Sequence, residues 1–233
     1  MFLFLKLYLA HLIGDFILQF EELYRLKVRS LWGHLFHVLI HALVSLLLVF
    51  PFLTNPRLTL FVLAVSTVHY FQDIVKYTLQ QKMPHWRFVL FVSDQIVHLL
   101  VVASVLLFPW NTAIPETPSG AAAFYYNNEW TLYAIAFVLS TFGGGYLLHS
   151  FRTNYMSGTR PDHFISRFEM SHGLAERTLV TAFFMLGTWP WMLAAAAAAA
   201  AMRLPFPLLR NRTDFLMSFL YAAAVGLAFR SRV

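Results

Sequence analysis

Three aspartates in the apolar segments of this 233-residue chain each have a histidine four residues away. The pairs are His11 with Asp15, His69 with Asp73, and Asp94 with His98. Residues four apart lie one above the other on one face of an α-helix. This spacing lets a helix present two ligands to one metal ion, as the zinc motif H-E-x-x-H does.

A fourth helix-forming run contributes histidines without an acidic partner. The stretch "HLFHVLIH" places His37 and His41 four residues apart, and His34 falls in the same arc of about 60°, at about 100° per residue. At a rise of ~1.5 Å per residue, all four sets of side chains are predicted to share one layer, about 5–17 Å from the basic ends of their helices. A shared layer on four helices indicates one common site.

The buried carboxylates require a partner. A charged carboxylate at the centre of a bilayer costs at least ~2.5–3.5 kcal/mol on insertion scales, and three close together would also repel one another. They therefore need protonation or a cation, and we favour a metal site. The alternatives are a proton or ion pathway and purely structural polar packing between helices.

The predicted metal ligands are the paired residues and two histidines of the fourth run: His11, Asp15, His37, His41, His69, Asp73, Asp94 and His98. Two divalent ions balance three carboxylates and one bridging hydroxide, and a neutral cluster suits a low-dielectric site. Zinc, iron and manganese all accept these ligands. The secondary candidates are His34, Gln19, Lys76 and His149. Gln72 and Gln95 are expected to point to other helix faces and to pack there.

The composition identifies the surroundings of these residues. The chain is 59% hydrophobic and 12% charged, whereas a soluble domain carries roughly a quarter charged residues. Several continuous apolar runs reach the ~20 residues that a helix needs to cross a bilayer, which favours helices over a β-barrel. The net charge of +6 is attributed to cytoplasmic loops and not to nucleic-acid binding. No Cys is present, which excludes a thiolate site.

We therefore predict an all-α transmembrane bundle that forms a single integral membrane domain, 1–233. Its seven segments run over about 2–20, 34–53, 58–78, 87–109, 130–150, 173–202 and 213–229. Residues 1–110 form a four-helix core that carries the metal site, and 130–233 supply supporting helices. The sixth segment is too long for one straight crossing, so it is kinked or re-entrant. The first segment is a retained helix and not a signal peptide.

Lysine and arginine orient the bundle. The connections 21–33, 79–86 and 151–172 carry or adjoin nine of them, whereas 111–129 has none. By the positive-inside rule, the N-terminus lies outside and the three basic connections face the cytoplasm.

Five blocks of the chain together resemble a bacterial membrane-protein family of unknown function, numbered 3307 among the unknown-function domains. They are "AHLIGDFILQ" (10–19), "HVLIHALV" (37–44), "HYFQDIVKYTL" (69–79), "DQIVHLLVV" (94–102) and "GLAERTLV" (173–180). The resemblance implies a polytopic protein of the bacterial inner membrane and lends no activity. The chain differs where the family has a basic residue after a short alanine stretch, because here alanines run through 201 before Met202 and Arg203. Neighbouring Glu176 and Arg177 in the last block each need a headgroup or a charge on another helix.

These observations favour a membrane-embedded, metal-dependent hydrolase that acts on a lipid or lipid-linked substrate near the cytoplasmic face. A metal-bound water is the expected nucleophile, with Asp15 or Asp94 as general base. The alternatives are a divalent-metal or proton transporter or channel, a membrane di-iron oxidase or hydroxylase, and a structural metal site. The bilayer is the expected environment, and a homo-oligomer is compatible with the sequence.

Overall fold

The computed structural model of the chain describes residues 1–110, 115–156, 167–205 and 212–230. Helices are its only regular elements in these ranges. They form two compact units, Met1–Thr131 and Leu132–Val233. Parts of the predicted loops 111–129 and 151–172, including Arg160, lie outside the described residues. The all-α membrane architecture predicted from the sequence is confirmed.

The first unit contains the helices that carry the predicted ligands. They are α1 (Phe2–Leu12), α2 (Glu21–Arg29), α3 (Leu31–Leu48), α4 (Pro56–Lys82), α5 (Arg87–Ala103) and α6 (Ala121–Tyr126). A π-helical turn, Ile13–Ile17, extends α1. The N-termini of α3 and α4 are fixed by side-chain caps, since Ser30 accepts from the backbone N–H of Gly33 and Asn55 from that of Arg57.

The start of the chain is bent where the sequence predicted one helix followed by a loop. Helix α1 with its π turn ends at Ile17, and α2 follows at 86° to it. The prediction of a helix over 2–20 and a loop over 21–33 was therefore wrong. Glycine at 33 lets α2 approach α3, because a Cβ there would overlap the backbone of Leu26 and Lys27. The short α2 is thus packed against the start of α3.

Fewer helices that could span a membrane are found among the described residues than the sequence predicted. Five helical stretches are long and apolar enough to cross a bilayer, at 31–48, 56–82, 84–107, 128–155 and 212–230, and the bent pair of α1 and α2 makes up to six. About seven were predicted. The difference arises at 173–202, where the chain forms α9 (Arg167–Leu186) and α10 (Trp189–Arg203) around a break at Gly187, whose φ is +78°.

The buried faces of the first unit change character along the helices. At one end, apolar residues pack tightly, among them Val49, Leu58, Val62 and Val105, none more than 2% exposed. Further along α4 and α5 the same faces carry His69, Asp73, Asp94 and His98 instead. The opposite faces carry exposed leucines, as expected of helices that face lipid. One end of this unit is therefore an apolar core and the other a buried polar cluster.

The second unit continues from α7 (Asn128–Val138) through a π-helical turn, Leu139–Gly143, into α8 (Gly144–Tyr155). It also contains α9, α10 and α11 (Arg212–Arg230). Small residues form a core in this unit with Val180: Ala195, Ala199, Ala222 and Ala223 are at most 6% exposed.

Candidate metal centre

Six of the predicted ligands meet in one buried group, which we call the His/Asp cluster: His11, Asp15, His37, His41, His69 and His98. One carboxylate oxygen of Asp15 is its centre. The Nε2 atoms of His37 and His41 both lie 3.1 Å from Asp15 Oδ1, and His69 Nε2 lies 3.8 Å from it. Ligands about 2.0–2.1 Å from a zinc ion are about 3.3 Å apart in a tetrahedron. The spacing of these donor atoms therefore suits a single ion.

The other oxygen of Asp15 faces a second set of donors. His11 Nε2 lies 3.4 Å from Asp15 Oδ2, and the rings of His11 and His98 are 4.8 Å apart. In each of the two sets, Asp15 with His37, His41 and His69, and Asp15 with His11 and His98, all donor atoms lie within 4.8 Å of one another. Both sets can hold a metal ion, and Asp15 belongs to both.

The cluster combines deep burial with unused polar atoms. The exposure of its five histidines does not exceed 5%. In the described part of the chain, five buried ring nitrogens of the cluster have no hydrogen-bond partner: Nε2 of His11, Nδ1 of His37, Nε2 of His69 and both nitrogens of His98. A buried polar atom without a partner costs about 1–3 kcal/mol, and such atoms are rare in proteins. Metal ligation would give a partner to one of these nitrogens on each of His11, His69 and His98, so the residues present fit a metal ion.

Local backbone features bring Asp15 and His41 together. The π-helical turn after Leu12 places Asp15 in the cluster, and π turns occur frequently at functional sites. Gly14 lies directly against the ring of His41, because a Cβ at this position would be 2.5 Å from His41 Nε2. Any larger residue at 14 must therefore displace this ring.

Asp73 and Asp94 bind lysines and lie outside both sets of candidate ligands. Lys27 Nζ is 2.6 Å from Asp73 Oδ2, and Lys76 Nζ donates to Asp94 Oδ2 at 2.7 Å. We call these four residues the Lys/Asp rim. Neither lysine was predicted to pair with an aspartate, since Lys27 lies in the predicted loop 21–33 and Lys76 was a secondary site candidate. A lysine every few residues near a membrane boundary is too common a pattern to identify either partner.

Two glutamines also differ from expectation. Gln95 was expected to pack elsewhere, but its Nε2 donates to Asp15 Oδ2 at 3.0 Å. Gln19 lies beyond the end of the first helix and accepts a hydrogen bond of 2.8 Å from Lys27, so it does not continue the face of His11 and Asp15. Gln72 is close in sequence to Asp73, and its Oε1 is buried without a partner in the described residues.

The two remaining secondary candidates, His34 and His149, lie in different units of the structure. His34 is buried beside the rim, with Nδ1 3.8 Å from Asp73 Oδ2, and it belongs to neither set of candidate ligands. His149 is half-buried on α8 in the second unit. Its role as a supporting ligand stays a prediction, as do the catalytic roles of Asp15 and Asp94.

A small cavity borders the cluster on the side of the apolar core. Its volume is about 20 Å³, enough for about one water molecule. It is lined by Leu7, His11, His41, Ser45, Phe61, Val62, Val65, Ser66, His69 and Val102. A water molecule can therefore lie beside three of the histidines.

The second unit holds a different buried charge group, the Glu176–Arg203 pair. Arg203 donates to both carboxylate oxygens of Glu176, at 2.5 and 2.9 Å. Arg177 donates through Nε and Nη2 to the carbonyl oxygen of Thr141, in the π-helical turn. Glu176 therefore has the charge on another helix that the sequence required, and Arg177 has a backbone partner. The basic residue after the alanine run completes this pair.

The family model described as "Protein of unknown function (DUF3307)" matches residues 3–126. The chain belongs to this family. The matched range includes every residue of the His/Asp cluster and the Lys/Asp rim. The 173–180 block lies beyond that range. No curated protein and no solved structure matches the chain.

Proposed function

We propose that this protein is a membrane-embedded, metal-dependent hydrolase whose metal centre is the His/Asp cluster. The observation that carries the proposal is the convergence of three histidine Nε2 atoms on one oxygen of the buried Asp15. Structural polar packing explains this arrangement less well, because it leaves five buried ring nitrogens of the cluster without a hydrogen-bond partner among the described residues.

Two divalent ions, zinc, iron or manganese, fit the two sets of donors. Asp15 belongs to both sets and would serve both ions, since one of its oxygens faces His37, His41 and His69 and the other faces His11. A bound ion supplies a Lewis acid that acidifies a coordinated water at neutral pH. The chain contributes a fixed and dry set of donors, and Gln95 orients Asp15 from behind by its 3.0 Å hydrogen bond.

The location of the cluster supports a substrate that resides in the membrane. By the positive-inside rule, we propose that the basic ends of α3, α4 and α5 face the cytoplasm, with the N-terminus outside, in a bacterial inner membrane. Helix α2 turns away from α1 at this level and exposes Tyr24, Leu26 and Val28, as a helix in the headgroup layer does. A lipid headgroup can reach the cluster from this layer.

The apolar core beyond the cavity argues against a transporter. Leu58, Val62 and Val105 pack with at most 2% exposure on the side away from the basic helix ends. A transport pathway requires polar groups at several depths. A structural metal site differs from a catalytic one in having no open coordination position for water.

The test is metal analysis of freshly purified protein, followed by hydrolysis assays in proteoliposomes. We expect stoichiometric metal in the wild type and a loss of at least about tenfold in metal content in Asp15→Asn, because this change removes the charge shared by both sets. The matched control is His85→Ala, since His85 is an exposed histidine on the turn before α5. Wild-type protein without metal, or Asp15→Asn protein that keeps its metal, would contradict the proposal.

A further inference from the structure

The Lys/Asp rim changes the charge balance of the buried site. Lys27 and Lys76 each approach a carboxylate within 2.7 Å, so they neutralise two of the three aspartates. Only Asp15 then remains to offset the metal charge. Before any hydroxide is counted, two divalent ions with Asp15 would retain three positive charges, and a single ion with Asp15 would retain one. For either number of ions the loaded site favours an anionic ligand, because a low-dielectric site penalises net charge.

The rim also offers hydrogen-bond donors to such a ligand. An ammonium group has three donors. Lys27 is engaged by Asp73 and Gln19, and Lys76 by Asp94. Within the described part of the chain, at least one donor therefore remains on each lysine. Two ammonium groups beside a metal centre are a suitable arrangement for the several oxygens of a phosphate group.

The rim lies on the route from the basic helix ends to the cluster. Lys76 is on the turn of α4 that follows Asp73 and precedes the end of the helix at Lys82. The Lys76 side chain is 22% exposed and the Lys27 side chain is 10% exposed. The histidines of the cluster that contact Asp15 have side chains at most 6% exposed. An anionic headgroup that enters from the basic end therefore meets the lysines before the ring nitrogens.

We propose that the substrate is a membrane lipid with a terminal phosphate, and that Lys27 and Lys76 bind its phosphate group. This inference rests on the proposed hydrolase function and names its substrate class. In the reaction, a water oxygen bonds to phosphorus and the bond between phosphorus and the lipid oxygen breaks. The lipid oxygen takes up the proton, so the products are a lipid alcohol and inorganic phosphate, with no change of oxidation state.

The experiment uses the full chain, loaded with metal and reconstituted in phosphatidylcholine vesicles that contain a minor fraction of phosphatidic acid. Release of inorganic phosphate is measured, and parallel vesicles contain the neutral ester diacylglycerol in place of phosphatidic acid. We expect phosphate release from the first vesicles and no fatty-acid release from the second. In Lys76→Gln the KM for phosphatidic acid should rise about tenfold, the loss expected for one charge-assisted hydrogen bond, with a smaller change in kcat.

Two further variants separate a binding role from a structural one. Lys76→Arg keeps the positive charge and should restore the KM to within about threefold of wild type. Lys82→Gln removes an exposed lysine at the end of the same helix and should change nothing. Metal content is measured in every variant. Fatty-acid release from diacylglycerol by metal-loaded protein, without phosphate release, would overturn the phosphate inference and leave the hydrolase standing. Wild-type protein without metal would overturn both.

Discussion

The two buried charge groups of this protein are opposite in their chemistry. In the Glu176–Arg203 pair, one carboxylate meets one guanidinium through two hydrogen bonds, and the adjacent Arg177 binds a backbone carbonyl. In the His/Asp cluster, five histidines surround one carboxylate, and five ring nitrogens have no hydrogen-bond partner among the described residues. Both groups lie between apolar helices, but only the Glu176–Arg203 pair is complete by itself.

The difference distinguishes polar groups that stabilise helix packing by themselves from polar groups whose atoms find partners only when a ligand binds. A bidentate pair satisfies both partners and is costly only when one of them is removed. Buried ring nitrogens without a hydrogen-bond partner cost free energy in the metal-free protein, and metal ligation would remove part of that cost. The Lys/Asp rim is intermediate, because its charges are paired while its lysines keep donors for a ligand.

The largest expected effect is on the stability of the second unit. Glu176→Gln leaves the buried Arg203 without its counter-charge, which should lower the free energy of unfolding by about 3–5 kcal/mol. The double variant Glu176→Leu with Arg203→Met should recover most of this loss, because it removes both charges. Thermal unfolding in detergent measures both variants. Metal bound per folded chain should stay at the wild-type value, and a drop would show that the two groups are not chemically separate.

A smaller effect is expected from a single methyl group in the first unit. Gly14→Ala pushes the ring of His41 away from Asp15, because the new Cβ would lie 2.5 Å from its Nε2. We expect metal affinity to fall about 10–100-fold, measured by titration of the metal-free protein. Gly144→Ala is the matched change in the second unit, where the Cβ would meet the ring of Tyr221 at 2.6 Å. It should lower stability without changing metal affinity, and equal affinity losses would remove the contrast.

The smallest effect is expected at the hydroxyl pair of the second unit. Ser140 Oγ lies 2.5 Å from Thr181 Oγ1, and Thr181 also donates to the carbonyl of Ala222. Thr181→Val removes both hydrogen bonds with little change in volume, and it should lower the free energy of unfolding by about 1–2 kcal/mol. Thr181→Ser keeps the hydroxyl and should cost less. If the valine variant were as stable as wild type, the second unit would not depend on satisfied polar contacts.

Most of the His/Asp cluster could be predicted from residue type and spacing. The pairs at four residues define helix faces, and membrane depth places those faces in one layer, so His11, Asp15, His37, His41, His69 and His98 were all named from the sequence. Gln95 was missed because, on an ideal helix, it lies on a different face from its neighbour Asp94. Its amide side chain is nevertheless long enough to reach the cluster from that face. The division of the carboxylates between metal ligands and lysine partners was also missed, since it depends on which helices are neighbours.

The sequence by itself determined the helices, their apolar surroundings and the polar layer, because these follow from local periodicity and from the need to bury the backbone in lipid. Only the tertiary structure decided the partners. The 86° bend after Ile17 brings α2, and with it Lys27, to Asp73. That contact joins residues 46 positions apart through the close packing of Gly33 against α2. A charge pair of this kind leaves no periodic pattern in the sequence. Its geometry depends on how two helices pack and on the bend after Ile17, and neither helix alone determines it.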